Sequence, residues 1–196
     1  PAVSLSLDLI VKYYEMNQGI SEASEQIEQG ERLFNDAMRR MYADRNFYPD
    51  ANSTMRLSFG TVSGYSPFDG ATYGYYTTVK GIFEKVKEHA GDIDFAVQPE
   101  LLSLLSSRDF GRYANDMNVC FISNNDITGG NSGSAMFNGK GELLGLAFDG
   151  NWEAMSSDIV FEPDLQRCIG VDVRYMLFII EKYGKAGNLI KELKIR

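Results

Sequence analysis

Residues 119–148 read VCFISNNDITGGNSGSAMFNGKGELLGLAF, and the fold class can be predicted from this stretch. Its two apolar runs, Val119 to Ser123 and Leu143 to Phe148, have the length of buried strands. Residues 138–141 (NGKG) have the composition of a hairpin turn, so residues 135–137 are predicted to pair with the run that follows. The pattern therefore predicts an antiparallel β region with a long polar loop between two of its strands.

Helical patterns lie on both sides of this β region. From Val3 to Tyr14 apolar residues recur at spacings of three and four, and residues 1–43 are predicted to form a helical hairpin. Residues 55–62 alternate apolar with polar side chains, as a half-buried strand does, and residues 166–173 are β-prone. The pattern from residue 174 to the end is helical. We predict a fold that is mainly β, with a helical hairpin before the sheet and a helix after it.

Composition excludes several classes of protein. Of the 196 residues, 44% are hydrophobic, which is enough for a folded core rather than a disordered chain. The net charge is −8, so we expect no nucleic-acid surface, and no run approaches the roughly 20 apolar residues of a membrane helix. One His and two Cys predict no His-rich metal site and no disulfide framework, and we expect no metal or organic cofactor. Spacing alone leaves open whether Cys120 and Cys168 pair.

Ser132 is the candidate nucleophile in the polar loop. A nucleophilic serine needs an exposed hydroxyl on a tight turn and backbone N–H groups directed at the developing oxyanion. It also needs glycines where the chain takes unusual dihedral angles, and Gly130 and Gly133 flank Ser132. The N–H groups of Gly130 and Ser132 are the candidate oxyanion hole. The alternative is a Gly- and Ser-rich turn that carries no chemistry.

The residues after Ser132 distinguish between two hydrolase arrangements. The nucleophile elbow of α/β-hydrolases would have Gly at position 134 and a helix after it, but this chain has Ser134 and a predicted strand. A serine between two strands is the arrangement of the chymotrypsin-like double barrel, in which the His and Asp partners come earlier in the chain.

Long strings of this sequence closely resemble the S46 peptidases, which are exopeptidases of the dipeptidyl-peptidase 7 and 11 type from the bacterial cell envelope. The matching strings are residues 47–57 (FYPDANSTMRL), 121–134 (FISNNDITGGNSGS), 145–156 (GLAFDGNWEAMS), 161–163 (FEP) and 171–175 (VDVRY). The family usually has Pro where this chain has Ala135, a change that loosens the backbone without touching Ser132.

The resemblance implies a double barrel with an inserted helical domain. Residues 1–44 would be the end of the helical domain, and residues 45–196 would be the second barrel with its C-terminal helix. Ser132 would be acylated by oligopeptide substrates, and its His and Asp partners would lie upstream of this chain, which we expect to be an inactive fragment. His89 lies in a charged helical stretch and matches no catalytic motif. A homodimeric full-length enzyme in the periplasm or at the cell surface is implied as well.

Two neighbouring residues are the candidate specificity determinants. By the resemblance, Asp149 would hold the substrate's free amine, although it also fits a turn-capping role in Asp149-Gly150-Asn151. Family members that cleave after Asp or Glu have Arg at the position of Gly150. An uncharged position predicts a hydrophobic P1 residue, the residue on the amino side of the cleaved bond.

Asp126 lies six residues before Ser132, where trypsin-like enzymes place the carboxylate that selects Lys or Arg. The resembled family carries the same Asn-Asp-Ile-Thr string in members of different preference, so we expect Asp126 to brace the loop instead. The competing interpretation of the whole chain is a protease-like module that binds peptides or acts as a scaffold without catalysis. A degenerate copy of that kind is expected to lose Ser132 or its glycines, and all of them are present.

Overall fold

The computed structural model describes residues 2–17, 20–45, 47, 54–157 and 159–195. These residues fall into two compact units, residues 1–49 and residues 50–196. The predicted division lay between residues 44 and 45. The assignment of the first unit to an inserted helical domain stays a prediction.

The first unit contains the two predicted helices, α1 (Ala2–Asn17) and α2 (Ile20–Met41). Ion pairs one helical turn apart, such as Arg32 with Glu28 at 2.7 Å, run along the surface of α2. The apolar stripe of α1 remains exposed, with Val3 at 74% and Ile10 at 50% of full exposure. The predicted link between the helices includes residues 18 and 19, which lie outside the described residues.

The second unit is built on one antiparallel sheet of five strands in the order β1-β2-β5-β4-β3. The strands are β1 (Tyr76–Thr78), β2 (Asn118–Ser123), β3 (Ala135–Phe137), β4 (Leu143–Gly150) and β5 (Cys168–Asp172). The strands expected from the apolar runs are therefore confirmed. In the predicted turn between β3 and β4, the Gly141 N–H donates to the Asn138 carbonyl at 2.9 Å, with Gly141 at φ +75°.

Helices pack beside this sheet and enclose the apolar core. They are α3 (Val79–Glu88), α4 (Pro99–Ser106), α5 (Val173–Phe178) and α6 (Gly187–Lys191). The fully or nearly fully buried members of the core are Val79, Leu105, Phe110, Tyr113, Met117, Leu177, Phe178 and Ile190. The core thus joins the helices to the segment that leads into β2.

Two expectations from the sequence were wrong in detail. Residues 55–62 do not form a strand: only Val62 pairs, in an isolated bridge with Ser123, because Met55, Leu57 and Phe59 find no apolar surface in the described chain and stay 85–96% exposed. The C-terminal helix is not continuous. After α5 the chain makes a π-helical turn, Ile179–Tyr183, and Lys185 at φ +53° interrupts it before α6.

The fold is a mixture of helices and antiparallel sheet rather than mainly β, since α1 and α2 alone contain more residues than the five strands. Among the residues that the structure describes, none of the helices combines the length and the apolar character needed to cross a membrane.

Candidate active site

Ser132 lies in the loop of residues 124–134, called here the Ser132 loop, which connects β2 to β3. Its side chain is exposed. The flanking Gly130 and Gly133 have φ values of +90° and +84°, in the left-handed region that side chains rarely adopt. A Cβ added at Gly133 would meet no atom within 4 Å, so the dihedral angle and not crowding requires glycine there. The two glycines therefore shape the turn that presents Ser132.

A β-bulge in β4 fixes the position of the Ser132 hydroxyl. Ala147 pairs with Gly170 and Asp149 with Ile169, which leaves Phe148 as an extra residue without a partner in β5. The Phe148 carbonyl accepts a hydrogen bond from Ser132 Oγ at 3.2 Å. The residues that follow Ser132 are docked on β4 next to this contact, because the Gly133 N–H donates to the Ala147 carbonyl at 2.7 Å and the Ala147 N–H donates to the Ser134 carbonyl at 2.9 Å.

The two candidate oxyanion donors have no acceptor within the described residues. The Asn131 carbonyl accepts from the Ser134 N–H at 2.9 Å. Because a trans peptide is planar, the Ser132 N–H in the same peptide group points in the opposite direction, away from that hydrogen bond. Neither this N–H nor that of Gly130 donates to the sheet or to a side chain in the part of the chain that is described. Two N–H groups without an acceptor among the described residues thus lie in the same turn as an exposed hydroxyl, and these are the kinds of group that acyl-transfer chemistry uses.

A buried ion pair joins Arg56 to Asp126 of the Ser132 loop. Arg56 donates from Nη2 to Asp126 Oδ2, and the two side chains are 15% and 8% exposed. Asp126 therefore braces the loop, as expected, and its carboxylate is engaged by an internal cation rather than offered to a basic P1 side chain. Arg56 itself was missed by the sequence reasoning. Its only signal was its place inside a string that resembles the S46 family.

Asp149 directly follows the bulge, so it lies one residue from the carbonyl that Ser132 contacts. Its side chain is exposed, and Oδ1 accepts a hydrogen bond from the Gly150 N–H at 2.7 Å. The turn-capping contact is therefore present, while the rest of the carboxylate faces solvent. The role of Asp149 in binding an amine stays a prediction.

Gly150 is closely packed by apolar groups. A Cβ built at this position would lie 2.8 Å from the Ala154 Cβ and 3.7 Å from the Ile127 Cγ2. Ala154 belongs to a short 3-10 helix, Trp152–Ser156, that follows β4, and Ile127 belongs to the Ser132 loop. The two side chains nearest to Gly150 are thus apolar, with the Arg167 carbonyl oxygen 3.8 Å from the same Cβ position, a feature that composition alone did not reveal.

A polar cluster holds the chain that follows Gly150. Glu153 accepts hydrogen bonds from the Tyr65 hydroxyl and from Asn151 Nδ2, each at 2.8 Å. The Asn151 side-chain carbonyl accepts from the Arg167 N–H at 2.8 Å. The Arg167 guanidinium is buried and donates to backbone carbonyls, including that of Gly64 at 3.0 Å. Burial, together with the hydrogen bond to Glu153, raises the pKa of Tyr65. This cluster was also missed by the sequence reasoning.

The remaining candidate groups lie apart from Ser132. His89 stacks on the ring of Phe95 at 3.9 Å between centroids and has no contact with the Ser132 loop among the described residues. Cys120 and Cys168 are both free thiols, and burial raises the pKa of each. No cluster of three or more His, Cys, Asp or Glu side chains arranged to hold a metal ion occurs in the described part of the chain.

Comparison with known proteins gives consistent matches. The model of the family described as Peptidase S46 matches residues 1–195. The chain is 54% identical to Dipeptidyl-peptidase 7 of Porphyromonas endodontalis over 197 residues, which is all of this chain and 24% of that protein. It is 38% identical to the Asp/Glu-specific dipeptidyl-peptidase of Porphyromonas gingivalis over 198 residues, again all of this chain and 27% of that protein.

A solved structure is also similar. The crystal structure of Porphyromonas endodontalis DPP11 in complex with the dipeptide Arg-Glu superimposes with a TM-score of 0.72 at 41% identity. The match covers 80% of this chain and 23% of that one. The chain therefore spans about a quarter of the length of the curated relatives that it matches.

Proposed function

Because this chain belongs to the peptidase S46 family, we propose that it carries the nucleophile of a serine dipeptidyl-peptidase that releases N-terminal dipeptides from oligopeptides. The observation that supports this most directly is the exposed Ser132 hydroxyl beside the uncommitted N–H groups of Gly130 and Ser132. The names of the related proteins, which are all dipeptidyl-peptidases, support the same reaction class.

In the proposed reaction, Ser132 Oγ attacks the carbonyl carbon of the second substrate residue. The new C–O bond drives negative charge onto the carbonyl oxygen, which accepts hydrogen bonds from the Gly130 and Ser132 N–H groups. Collapse of this intermediate breaks the C–N bond, the shortened peptide leaves with the proton taken from Ser132, and water then hydrolyses the acyl-enzyme. The base that carries the proton lies outside this chain, in keeping with a second barrel of a chymotrypsin-like double barrel.

Asp149 and Gly150 account for the proposed specificity. An exposed carboxylate next to the Ser132–Phe148 contact provides a charge-assisted partner for a free N-terminal ammonium, which limits the product to a dipeptide. Gly150, bordered by Ala154 and Ile127, presents no charge to a P1 side chain. We therefore assign a hydrophobic P1 preference, driven by burial of apolar area.

Profiling of the full-length parent enzyme tests this proposal. Dipeptidyl substrates with Met, Leu, Glu or Arg at P1 are compared, beside a Ser132→Ala control and beside the same substrates with an acetylated amine. We expect Met and Leu to exceed Glu by about tenfold or more in kcat/KM, and both controls to abolish release. A preference for Glu, or release that persists in Ser132→Ala, would contradict the proposal.

The isolated chain is expected to be inactive, because its one histidine is stacked on Phe95 and not on the Ser132 loop. The purified 196-residue chain and the parent enzyme are assayed side by side on the best substrate. Dipeptide release by the isolated chain that is lost in Ser132→Ala would show that it carries its own base.

Location and assembly are part of the same proposal. We place the parent enzyme in the periplasm or at the cell surface, as a homodimer, because the resemblance to the S46 peptidases implies both. Cell fractionation and light scattering of the purified full-length enzyme measure these two properties directly.

A further inference from the structure

Arg56 reaches the Ser132 loop from a distant part of the chain, 70 residues before Asp126. Its Nη2 pairs with the buried Asp126 carboxylate, while Nη1 turns toward the middle of the loop. There Nη1 donates to Thr128 Oγ1 at 3.1 Å and to Asn131 Oδ1 at 3.4 Å. One guanidinium thus ties the beginning of the loop to the residue that precedes Ser132.

Asn131 is the residue between the two candidate oxyanion donors, Gly130 and Ser132. Its side-chain carbonyl accepts from the Thr128 N–H at 2.9 Å as well as from Arg56, and its own N–H donates to the Thr128 carbonyl at 3.1 Å. Its backbone carbonyl accepts from the Ser134 N–H at 2.9 Å. Asn131 is therefore held through its side-chain carbonyl, its N–H and its backbone carbonyl, and these bonds orient the Asn131–Ser132 peptide group that carries the Ser132 N–H.

The buried carboxylate of Asp126 explains why a cation is needed at position 56. Its Oδ1 is buried and has no hydrogen-bond partner among the described residues, so Arg56 provides the compensation for a carboxylate removed from water. Arginine suits this position because its planar group presents several donors in a fixed arrangement, and one arm can hold the carboxylate while another holds the loop. Lysine presents a single point charge and cannot span both contacts in the same way.

We propose that Arg56 is a positioning residue, which holds Asn131 and thereby aims the Ser132 N–H at the oxyanion. The inference rests on the proposed function and adds a residue that does not touch the substrate. Arg56 stabilises the charge that develops in the transition state only through the loop. Its loss should therefore affect turnover much more than binding of the substrate or the product.

Arg56→Lys in the full-length enzyme tests this inference, because lysine keeps a positive charge beside Asp126 and removes the arm that reaches Thr128 and Asn131. Active enzyme is counted by labelling Ser132 with a dipeptidyl phosphonate ester. We expect kcat per labelled site to fall about 10- to 100-fold with KM within about twofold of wild type, less than the loss of a whole oxyanion donor. The rate of phosphonate labelling should fall in parallel, whereas the Kd of a product dipeptide should not change.

Arg174→Lys is the matched control. Arg174 donates from Nε and Nη2 to Asp172, whose carboxylate is as buried as that of Asp126, and these contacts do not involve the Ser132 loop. This variant should keep kcat per labelled site. A double-mutant cycle of Arg56→Lys with Asn131→Ala should be non-additive, because both changes remove the same hydrogen bond.

These experiments distinguish a failure of the positioning role of Arg56 from a failure of the proposed function. Arg56→Lys with a wild-type kcat per labelled site, or with a loss only of labelled sites and thermal stability, would overturn the positioning role and leave the proposed function intact. Additive effects in the cycle would also overturn it. A wild-type full-length enzyme that releases no dipeptide would overturn the proposed function itself, and with it any oxyanion for Arg56 to serve.

Discussion

The helix-packed core and the Ser132 loop lie in the same unit and are stabilised by different forces. The core is made of apolar side chains such as Phe110 and Phe178, whose rings meet edge to face with centroids 5.4 Å apart. The loop has an ion pair, a carbonyl contact from a bulge and glycines in left-handed conformations. Apolar burial is non-directional, whereas hydrogen bonds specify angles. The loop, for which we propose an oxyanion-binding role, is therefore built from directional interactions.

The largest expected effect in this comparison is on stability, from a cavity in the core. Phe178→Ala removes a ring that is 0% exposed and should lower the free energy of unfolding by about 3–5 kcal/mol. Phe137→Ala removes an equal ring that is 62% exposed and should cost less than about 1 kcal/mol. Denaturant unfolding measures both. The comparison fails if the two variants lose similar stability, or if Phe178→Ala lowers kcat per labelled Ser132 site.

Among the residues at or next to the Ser132 loop, and apart from Ser132 and Arg56, the largest effect on activity is expected at Asp149. Asp149→Asn removes the charge proposed to hold the substrate amine and should lower kcat/KM by about 10- to 100-fold, mainly through KM. Asp69→Asn, at an exposed loop position, is the control and should have no effect. Steady-state kinetics on substrates with free and with acetylated amines decide the role. An equal loss on both kinds of substrate would point to the turn-capping contact with Gly150 instead.

A smaller effect, on the P1 preference, is expected from the substitution Gly150→Arg. Gly150→Arg should shift the P1 preference toward Glu, but its Cβ would lie 2.8 Å from the Ala154 Cβ, so the single change strains the 3-10 helix. Adding Ala154→Gly should relieve that contact and raise the Glu to Met ratio by about a further tenfold. Gly139→Arg, placed in open space in the β3–β4 turn, is the control. An unchanged ratio in the double variant would exclude Gly150 as a specificity determinant.

The smallest effect is expected from a charge pair on the surface. Lys80 and Glu84 form a pair on α3 at 3.0 Å, with side chains that are 82% and 60% exposed. Lys80→Ala should change the free energy of unfolding by less than about 0.5 kcal/mol, because solvent screens exposed pairs. Thermal unfolding at low and high salt checks this value. A loss of unfolding free energy comparable to that of Phe178→Ala would mean that exposed charge pairs contribute as much to stability as buried side chains do in this fold.

The sequence predicted the strands around Ser132 correctly because their signals are local. Apolar runs of strand length and an Asn-Gly-Lys-Gly turn act over a few residues, and β2, β4 and the β3–β4 turn appear where they were expected. The prediction for residues 55–62 was wrong because strand formation there depends on a neighbouring strand, which is not a local signal. Alternation shows which side chains share a face but not whether a neighbouring strand is present, and only Val62 has one among the described residues.

The Ser132 turn could be predicted from residue types alone, because glycine at positions 130 and 133 permits dihedral angles that other residues avoid. The groups that hold that turn come together only in the folded chain. The bulge that aims the Phe148 carbonyl depends on the register between β4 and β5, and the Arg56–Asp126 pair joins residues 70 positions apart. Contacts of this kind depend on how the whole chain folds back on itself, and no local pattern of residue types encodes them.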